Sequence, residues 1–312
     1  MGNTFYFNWE VALIEFCQKY IPSFIIELLS FISNIGDTIF VVVIVSFIYL
    51  CYNKQLGKKV VTSTIMALLF AGQLKNIFLR RRPYFDHDSI KCLKIVDKKY
   101  DLYDIYGQGY SFPSMHSSNI TTVGGTIYHY YKTKKTLVLA ILASLIVGVS
   151  RFILGCHYPT DVLTGWILGI ICATLVPNFL DKVDSKKAYV VEIIIGLIGC
   201  FFCSTKDYYQ ALGILLGFIA TDIFENKYVK FENTINIVRI ICRLLLALGA
   251  FVITDFICKL PFSTEALENS GYISHVLTVI RYGLSCFSAF GITPLLYKYN
   301  ILKIKKNKKS PI

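Results

Sequence analysis

Charge is scarce in this sequence. Asp, Glu, Lys and Arg make up only 17% of its 312 residues, against roughly a quarter in soluble globular domains. That deficit excludes an ordinary water-soluble fold. Hydrophobic residues supply 54% instead, with mean hydropathy +0.55. Acids are scarcer than bases, 20 against 32, and no run of carboxylates suits Mg²⁺. No Gly/Ser-rich stretch divides the chain and no period of about 20–50 residues repeats, which excludes tethered domains and solenoids. The start lacks a basic region and a small-residue cleavage site, so no cleaved leader is expected. Ten cysteines are present, but no C-x-x-C pair finds a distant partner pair, which excludes the common zinc patterns. Cys200 and Cys203 share one face of an apolar segment and read as small packing residues. Cys92 and Cys156 fall in connections expected on one side of a membrane, where pairing between them stays open.

Long apolar runs take the place of charge. A membrane-crossing helix needs about 20 mostly apolar residues. Such runs lie near 38–52, 60–79, 117–131, 136–153, 162–180, 188–203, 209–224, 236–258 and 276–298. The expected fold is therefore all-α, a polytopic transmembrane helix bundle of about nine spans. Residues 11–32 are apolar but carry Glu15, Lys19 and Glu27. They read either as an amphipathic helix in the outer interface or as a tilted first span. The chain divides into an N-terminal segment (1–36), a core (37–180) and a C-terminal extension of four spans with a basic tail (181–312).

The net charge of +12 raises nucleic acid as a partner, but its distribution argues against one. Lysines gather in alternate connections: Lys54, Lys58 and Lys59, then Lys132, Lys134 and Lys135, then Lys182, Lys186 and Lys187, then Lys227 and Lys230, then the tail from Lys298 to Lys309. That is the pattern of cytoplasmic loops. The tail reads as a topology determinant touching anionic lipid. The opposite connections, 80–116 and 154–161, then face the non-cytoplasmic side.

Three short stretches carry chemistry. Lys75 lies more than a turn inside an apolar run, and an ionisable residue there is a functional-site hypothesis by default. Seven residues on, Arg82 precedes Pro83, which is expected to end the helix and leave Lys75 and Arg82 on one face. Arg80, Arg81 and Arg82 on their own read as snorkelling cations. Pro113-Ser114-Met115-His116 precedes the next apolar run, and Ser114 is placed as an N-cap beside free backbone N–H groups that suit an anion. On its own it is equally a plain helix start. Arg151 ends one span, and His157 and Asp161 stand four apart at the start of the next. A carboxylate one turn from an imidazole can hold one ring nitrogen and free the other. Three cations beside lipid ask for a multivalent anion. Two histidines and a carboxylate supply a nucleophile, an acid and an orienting group. Together they read as phosphoryl transfer without a metal or other cofactor.

These stretches resemble the signature of the type-2 phosphatidic acid phosphatase superfamily: K-x6-R-P, then P-S-G-H, then S-R-x5-H-x3-D. Lys75, Arg82 and Pro83 fit the first part; Pro113, Ser114 and His116 fit the second; Ser150, Arg151, His157 and Asp161 fit the third. The likeness covers about 37–180. It implies that His157 is the nucleophile, Asp161 its orienting carboxylate and His116 the acid for the leaving oxygen. It makes Lys75, Arg82, Arg151, Ser114 and the backbone N–H of Met115 the phosphate cradle. Met115 stands where the family has glycine, so the donor is kept while the site mouth is expected to narrow. The span number and C-terminal helices are similar to the glucose-6-phosphatase and sphingosine-phosphate phosphatase branch. The implied activity is hydrolysis of a lipid phosphate or pyrophosphate. Alternatives are a phosphatase of a soluble sugar phosphate, a lipid phosphotransferase, and a transporter or scaffold without turnover. The residue usage, rich in Lys, Ile, Asn and Tyr, suggests a bacterial inner membrane with the site on its outer face. The sequence leaves the oligomeric state undefined.

Overall fold

Asn53 opens the longest helix by taking the Leu56 N–H on its side chain (2.9 Å), and the same device starts helix after helix. Thr133, Asp184 and Asn236 each cap the run that follows them. The computed structural model describes residues 2–97, 99–263, 266–267 and 271–298. The helices are α1 (Asn8–Tyr20), α2 (Ser23–Ser33), α3 (Thr38–Phe47), α4 (Lys54–Phe78), α5 (Pro83–Asp86), α6 (Ile105–Gln108), α7 (Met115–Tyr131), α8 (Lys134–Ile153) and α9 (Pro159–Lys182). They continue with α10 (Ser185–Ile198), α11 (Lys206–Phe224), α12 (Ile237–Lys259), α13 (Tyr272–Phe287) and α14 (Thr293–Lys298). The all-α expectation holds. The tail beyond Lys298 lies outside the described residues.

All nine apolar runs are helical, but they are not equal. Among the described residues, five stretches are long and apolar enough to cross a membrane: Lys54–Phe78, Lys134–Ile153, Pro159–Lys182, Ile237–Lys259 and Tyr272–Tyr297. A sixth forms if Ser23–Gly36 and Thr38–Tyr52, bent by 51°, count as one span. Helix α7 has 17 residues and carries Ser117, Ser118, Asn119, Thr121, Thr122 and Thr126 on buried positions. Its polar groups face neighbouring helices, not lipid. Helix α10 has only 14 residues before a 3₁₀ turn. The N-terminal run 11–32 is not continuous: Pro22 sits between α1 and α2.

The chain shuttles between two ends. One end joins Tyr52 to Tyr131 (3.0 Å), Lys59 to Asp181 (2.7 Å) and Lys58 to Asp222 (2.6 Å). The other joins Asn76 to Thr205 (2.8 Å) and Gln18 to Ile153 (3.0 Å). A large apolar core including Tyr49, Leu56, Val60, Leu69, Tyr208, Leu215 and Phe218 ties the first half to the C-terminal helices. Helices α7 and α9 approach through glycine. A side chain at Gly165 would meet the Ser114 carbonyl at 2.6 Å, and one at Gly169 would meet Thr121 at 2.7 Å. Small residues let such backbones close up where lipid offers no hydrophobic drive. The contact brings the starts of both helices to one place.

Candidate active site

Helix α4 stops earlier than its sequence suggests. Leu79 takes a left-handed conformation (φ 52°), and residues 80–82 run on as extended chain. Asn3 pins them, donating to the Leu79 carbonyl (2.7 Å) and accepting from the Arg81 N–H (3.0 Å). Pro83 begins the short helix α5 instead of ending α4. Lys75 and Arg82 therefore do not share a helical face. The turn at Leu79 brings Arg82 round to the loop 108–111 that also receives Lys75.

Each of these cations is buried against neutral acceptors. Lys75 donates to the Tyr110 carbonyl. Arg82 donates to the carbonyls of Gln108 (2.9 Å), Gly109 (3.1 Å) and Cys156 (2.9 Å). Arg151 donates to the Ser33 hydroxyl (2.7 Å), while its Nε is buried without a partner. Among the described residues, the ion pairs all use other cations.

His157 sits in the turn between α8 and α9, where Pro159 opens α9. Its Nδ1 is 2.8 Å from the Ser111 carbonyl and 3.5 Å from Asp161 Oδ2. A carbonyl only accepts, so Nδ1 carries the proton and Nε2 keeps its lone pair. Arg82 Nη1 lies 3.4 Å from that Nε2. Burial, and then Arg82, Arg151 and Lys75, hold the imidazole well below its ordinary value. Asp161 is occupied chiefly by others: Oδ1 takes Arg80 (2.6 Å) and Oδ2 takes the Tyr158 N–H (2.8 Å). The sequence pattern assigns the ring to Asp161 alone. In the structure Ser111 makes the shorter contact.

Ser114 caps α7, accepting from the Ser117 N–H (3.4 Å) and hydroxyl (2.9 Å). Its own N–H donates to the Asp161 carbonyl (3.0 Å), which stitches the second stretch to the third. His116 follows on the first turn of α7 and bonds Asp37 through Nε2. The Met115 side chain packs beside the apolar cluster of Ala67, Ala71, Leu168 and Cys172 between α4 and α9.

Several residues are invisible to pattern reading. Arg80, which reads as a snorkelling cation, is buried between Glu10 (2.9 Å) and Asp161 (2.6 Å). Its guanidinium also lies 4.0 Å from the Tyr158 ring centre. Glu10 reaches in from α1 and takes Thr160 through backbone (3.0 Å) and hydroxyl (2.6 Å). Ser33 and Asp37 come from the same N-terminal segment. Glu10 as an acid in a sparse-charge chain is the available signal. Ser111 acts through its backbone and offers none. Cys92 and Cys156 are both free thiols beside the Lys94 carbonyl (3.4 and 3.1 Å).

Phosphatidylglycerophosphatase B of Bacillus subtilis is 35% identical over 25% of this chain and 43% of its own length. Undecaprenyl-diphosphatase of Sulfolobus acidocaldarius is 26% identical over 46% of this chain and 64% of its own. Human sphingosine-1-phosphate phosphatase 2 is 22% identical over 67% of this chain and 56% of its own. The chain thus spans less than two thirds of the length of each. No solved structure matches. A family model described as PAP2 superfamily matches residues 56–184, and one described as PAP2 superfamily phosphatase, transmembrane extension, matches residues 209–305. The chain belongs to the PAP2 superfamily, the superfamily whose three-part signature its motifs resemble.

Proposed function

We propose that the protein is an integral-membrane phosphatase that hydrolyses a lipid phosphate or pyrophosphate through a phosphohistidine intermediate. One observation carries the reading. Lys75, Arg82 and Arg151 are buried on neutral acceptors; Arg82 lies 3.4 Å from Nε2 of His157, and all three cations act electrostatically on that ring. Buried cations without a counter-charge are costly, and a phosphate dianion would remove that cost. The relatives named for lipid phosphates and diphosphates support a lipid substrate.

His157 Nε2 attacks phosphorus, and the bond to the leaving oxygen breaks. His116 protonates that oxygen. Water, losing a proton to His116, then attacks phosphohistidine and releases phosphate, restoring neutral His157. Lys75, Arg82, Arg151, Ser114 and the Met115 N–H hold the equatorial oxygens, whose charge grows in the transition state. The cations supply the charge that a metal supplies elsewhere, so no cofactor is required.

The same reading extends to topology. The chain crosses the membrane about nine times, with 1–36 at the site end, 37–180 as catalytic core and 181–312 as a four-span extension. The site faces outward, in a bacterial inner membrane. The lysine-rich connections at the far end support this orientation.

Phosphate release tests the function. Purified protein in detergent and excess chelator is given phosphatidate, phosphatidylglycerophosphate, sphingosine phosphate, undecaprenyl pyrophosphate and glucose 6-phosphate. Turnover of a lipid substrate, blocked by vanadate, is expected. Preference for the sugar phosphate, or activity only with added Mg²⁺, would overturn the reading.

A further inference from the structure

His157 is held through Nδ1, and His116 is held through the other nitrogen. Its Nε2 bonds Asp37, which stands at the break between the N-terminal segment and α3. Asp37 lies outside residues 56–184, the part matched by the superfamily model. Two further observations show that the approach is built in. Gly36 leaves no room for a side chain: a Cβ there would lie 2.8 Å from Val147, 3.0 Å from His116 Cβ and 3.2 Å from the His116 carbonyl. Asp37 is also held from behind, with Oδ2 3.6 Å from Lys94 Nζ. Lys94 in turn donates to Asn34 (2.5 Å) and to the Ser30 carbonyl (3.3 Å). The neighbouring Ser33 accepts from Arg151. The turn 33–37 is thus clamped on His116 and Arg151 together.

We infer that Asp37 is a positioning residue for His116, fixing the proton on Nε2 so that Nδ1 exchanges the proton with the leaving oxygen and with water. This rests on the acid–base role given to His116 above. The two histidines then work as mirror images. One keeps Nε2 bare for attack on phosphorus, and the other keeps Nδ1 for proton transfer. The charged groups facing His116 are Asp37, Arg151 and Lys94. Burial first, and then the two cations, oppose its protonation and hold the ring below its ordinary value, while Asp37 is the group that favours it. An acid placed beside a phosphate cradle needs such a carboxylate, because the cations that bind substrate also repel the imidazolium.

Asp37→Asn keeps the shape and removes the charge. The His116 titration should then move to lower pH by about one pH unit or more. Alkyl phosphate turnover needs His116 protonated, so its alkaline limb should move down equally. At pH 7 the alkyl rate should fall roughly tenfold for each pH unit that the limb moves. An aryl phosphate needs little leaving-group protonation, so its phosphorylation step should change much less. Asp37→Glu should restore part of the alkyl rate, and Gly36→Val, which forces the turn away, should reproduce Asp37→Asn. A merely structural Asp37 would lower both substrates alike.

A direct measurement stands apart from activity. The chain has five histidines, so ring-labelled histidine NMR in detergent, with His116→Asn for assignment, reads tautomer and titration of His116. The expected result is a neutral ring protonated on Nε2 in the natural protein, with a lower titration midpoint in Asp37→Asn. A ring protonated on Nδ1, or an unchanged midpoint, would overturn the inference. Absence of phosphate release from the whole panel would instead defeat the functional reading, while the NMR result would still decide the role of Asp37.

Discussion

The two ends of the bundle handle charge in opposite ways. At the lysine-rich end the cations are matched to carboxylates: Lys54 to Glu225, Lys58 to Asp222 and Lys59 to Asp181. At the site end Lys75, Arg82 and Arg151 rest on carbonyls and a hydroxyl, while Arg80 beside them has two carboxylates. Matched charge closes a fold and asks for nothing more. Unmatched charge is a stored affinity for an anion. The contrast separates ion-paired cations from the proposed binding cations more sharply than sequence position does, because Arg80 and Arg82 are two residues apart and fall in different classes.

The largest expected effect is at His157, the proposed nucleophile. His157→Ala should remove nearly all turnover, about 10³-fold or more, for alkyl and aryl phosphates alike. His116→Ala should spare the aryl first step and let labelled phosphate accumulate on His157, since water then lacks its base. Label on His116 would reverse the assignment. Because burial and three neighbouring cations hold the His157 imidazole well below its ordinary value, the ring stays neutral at neutral pH. Its protonation should limit kcat/KM only below about pH 6.5, the unperturbed value. An acid limb assigned to His157 above that pH would contradict the electrostatics.

Neutralising one cation at each end breaks the comparison directly. Arg82→Gln should cut activity by about 10²–10³-fold while leaving thermal stability equal or higher, since an uncompensated buried charge is removed. Vanadate in chelator should raise the melting temperature of the natural protein and not that of Arg82→Gln, by ligand linkage. Asp222→Asn should do the reverse, lowering stability with the rate per folded molecule kept. Equal losses of both kinds at both ends would mean that the imbalance of charge has no functional meaning. Next in size is Glu10→Ala, which strips one carboxylate from buried Arg80. Breaking a buried pair costs about 3–5 kcal/mol. The melting point should fall, and activity should fall with it through Asp161.

The helical fold and the three motif stretches are readable because each is local: apolar runs, a capping serine, a proline at a helix start. What eludes the sequence is long-range. Glu10, Ser33 and Asp37 meet partners 70 or more residues away, and no spacing rule connects such distances. Ser111 contributes a carbonyl, which every residue type provides. The left-handed turn at Leu79 is hidden as well, since leucine rarely adopts that conformation. A continuous helix from Lys75 to Pro83 is the natural expectation. Asn3, pairing with the backbone on both sides of Arg80, holds the turn from outside.

The smallest expected effect concerns Met115, and it sharpens the comparison at the edge of the site. Its backbone N–H is common to glycine and methionine, so the proposed cradle keeps its donor in either case. The side chain packs beside Ala67, Ala71, Leu168 and Cys172. That cluster lies where α4 and α9 meet. Met115→Gly should therefore leave the aryl phosphate rate within a few-fold. Removing a partly buried methionine costs packing, of the order of 1–3 kcal/mol, and glycine adds about 1 kcal/mol within a helix. The melting temperature should thus fall modestly. The informative quantity is the ratio of rates between lipid and soluble phosphates. If the side chain shapes the passage for an acyl or prenyl tail, the ratio should change by several-fold. An unchanged ratio with a lowered melting point would assign Met115 to packing between α4 and α9, and the lipid-selecting surface would have to be sought elsewhere.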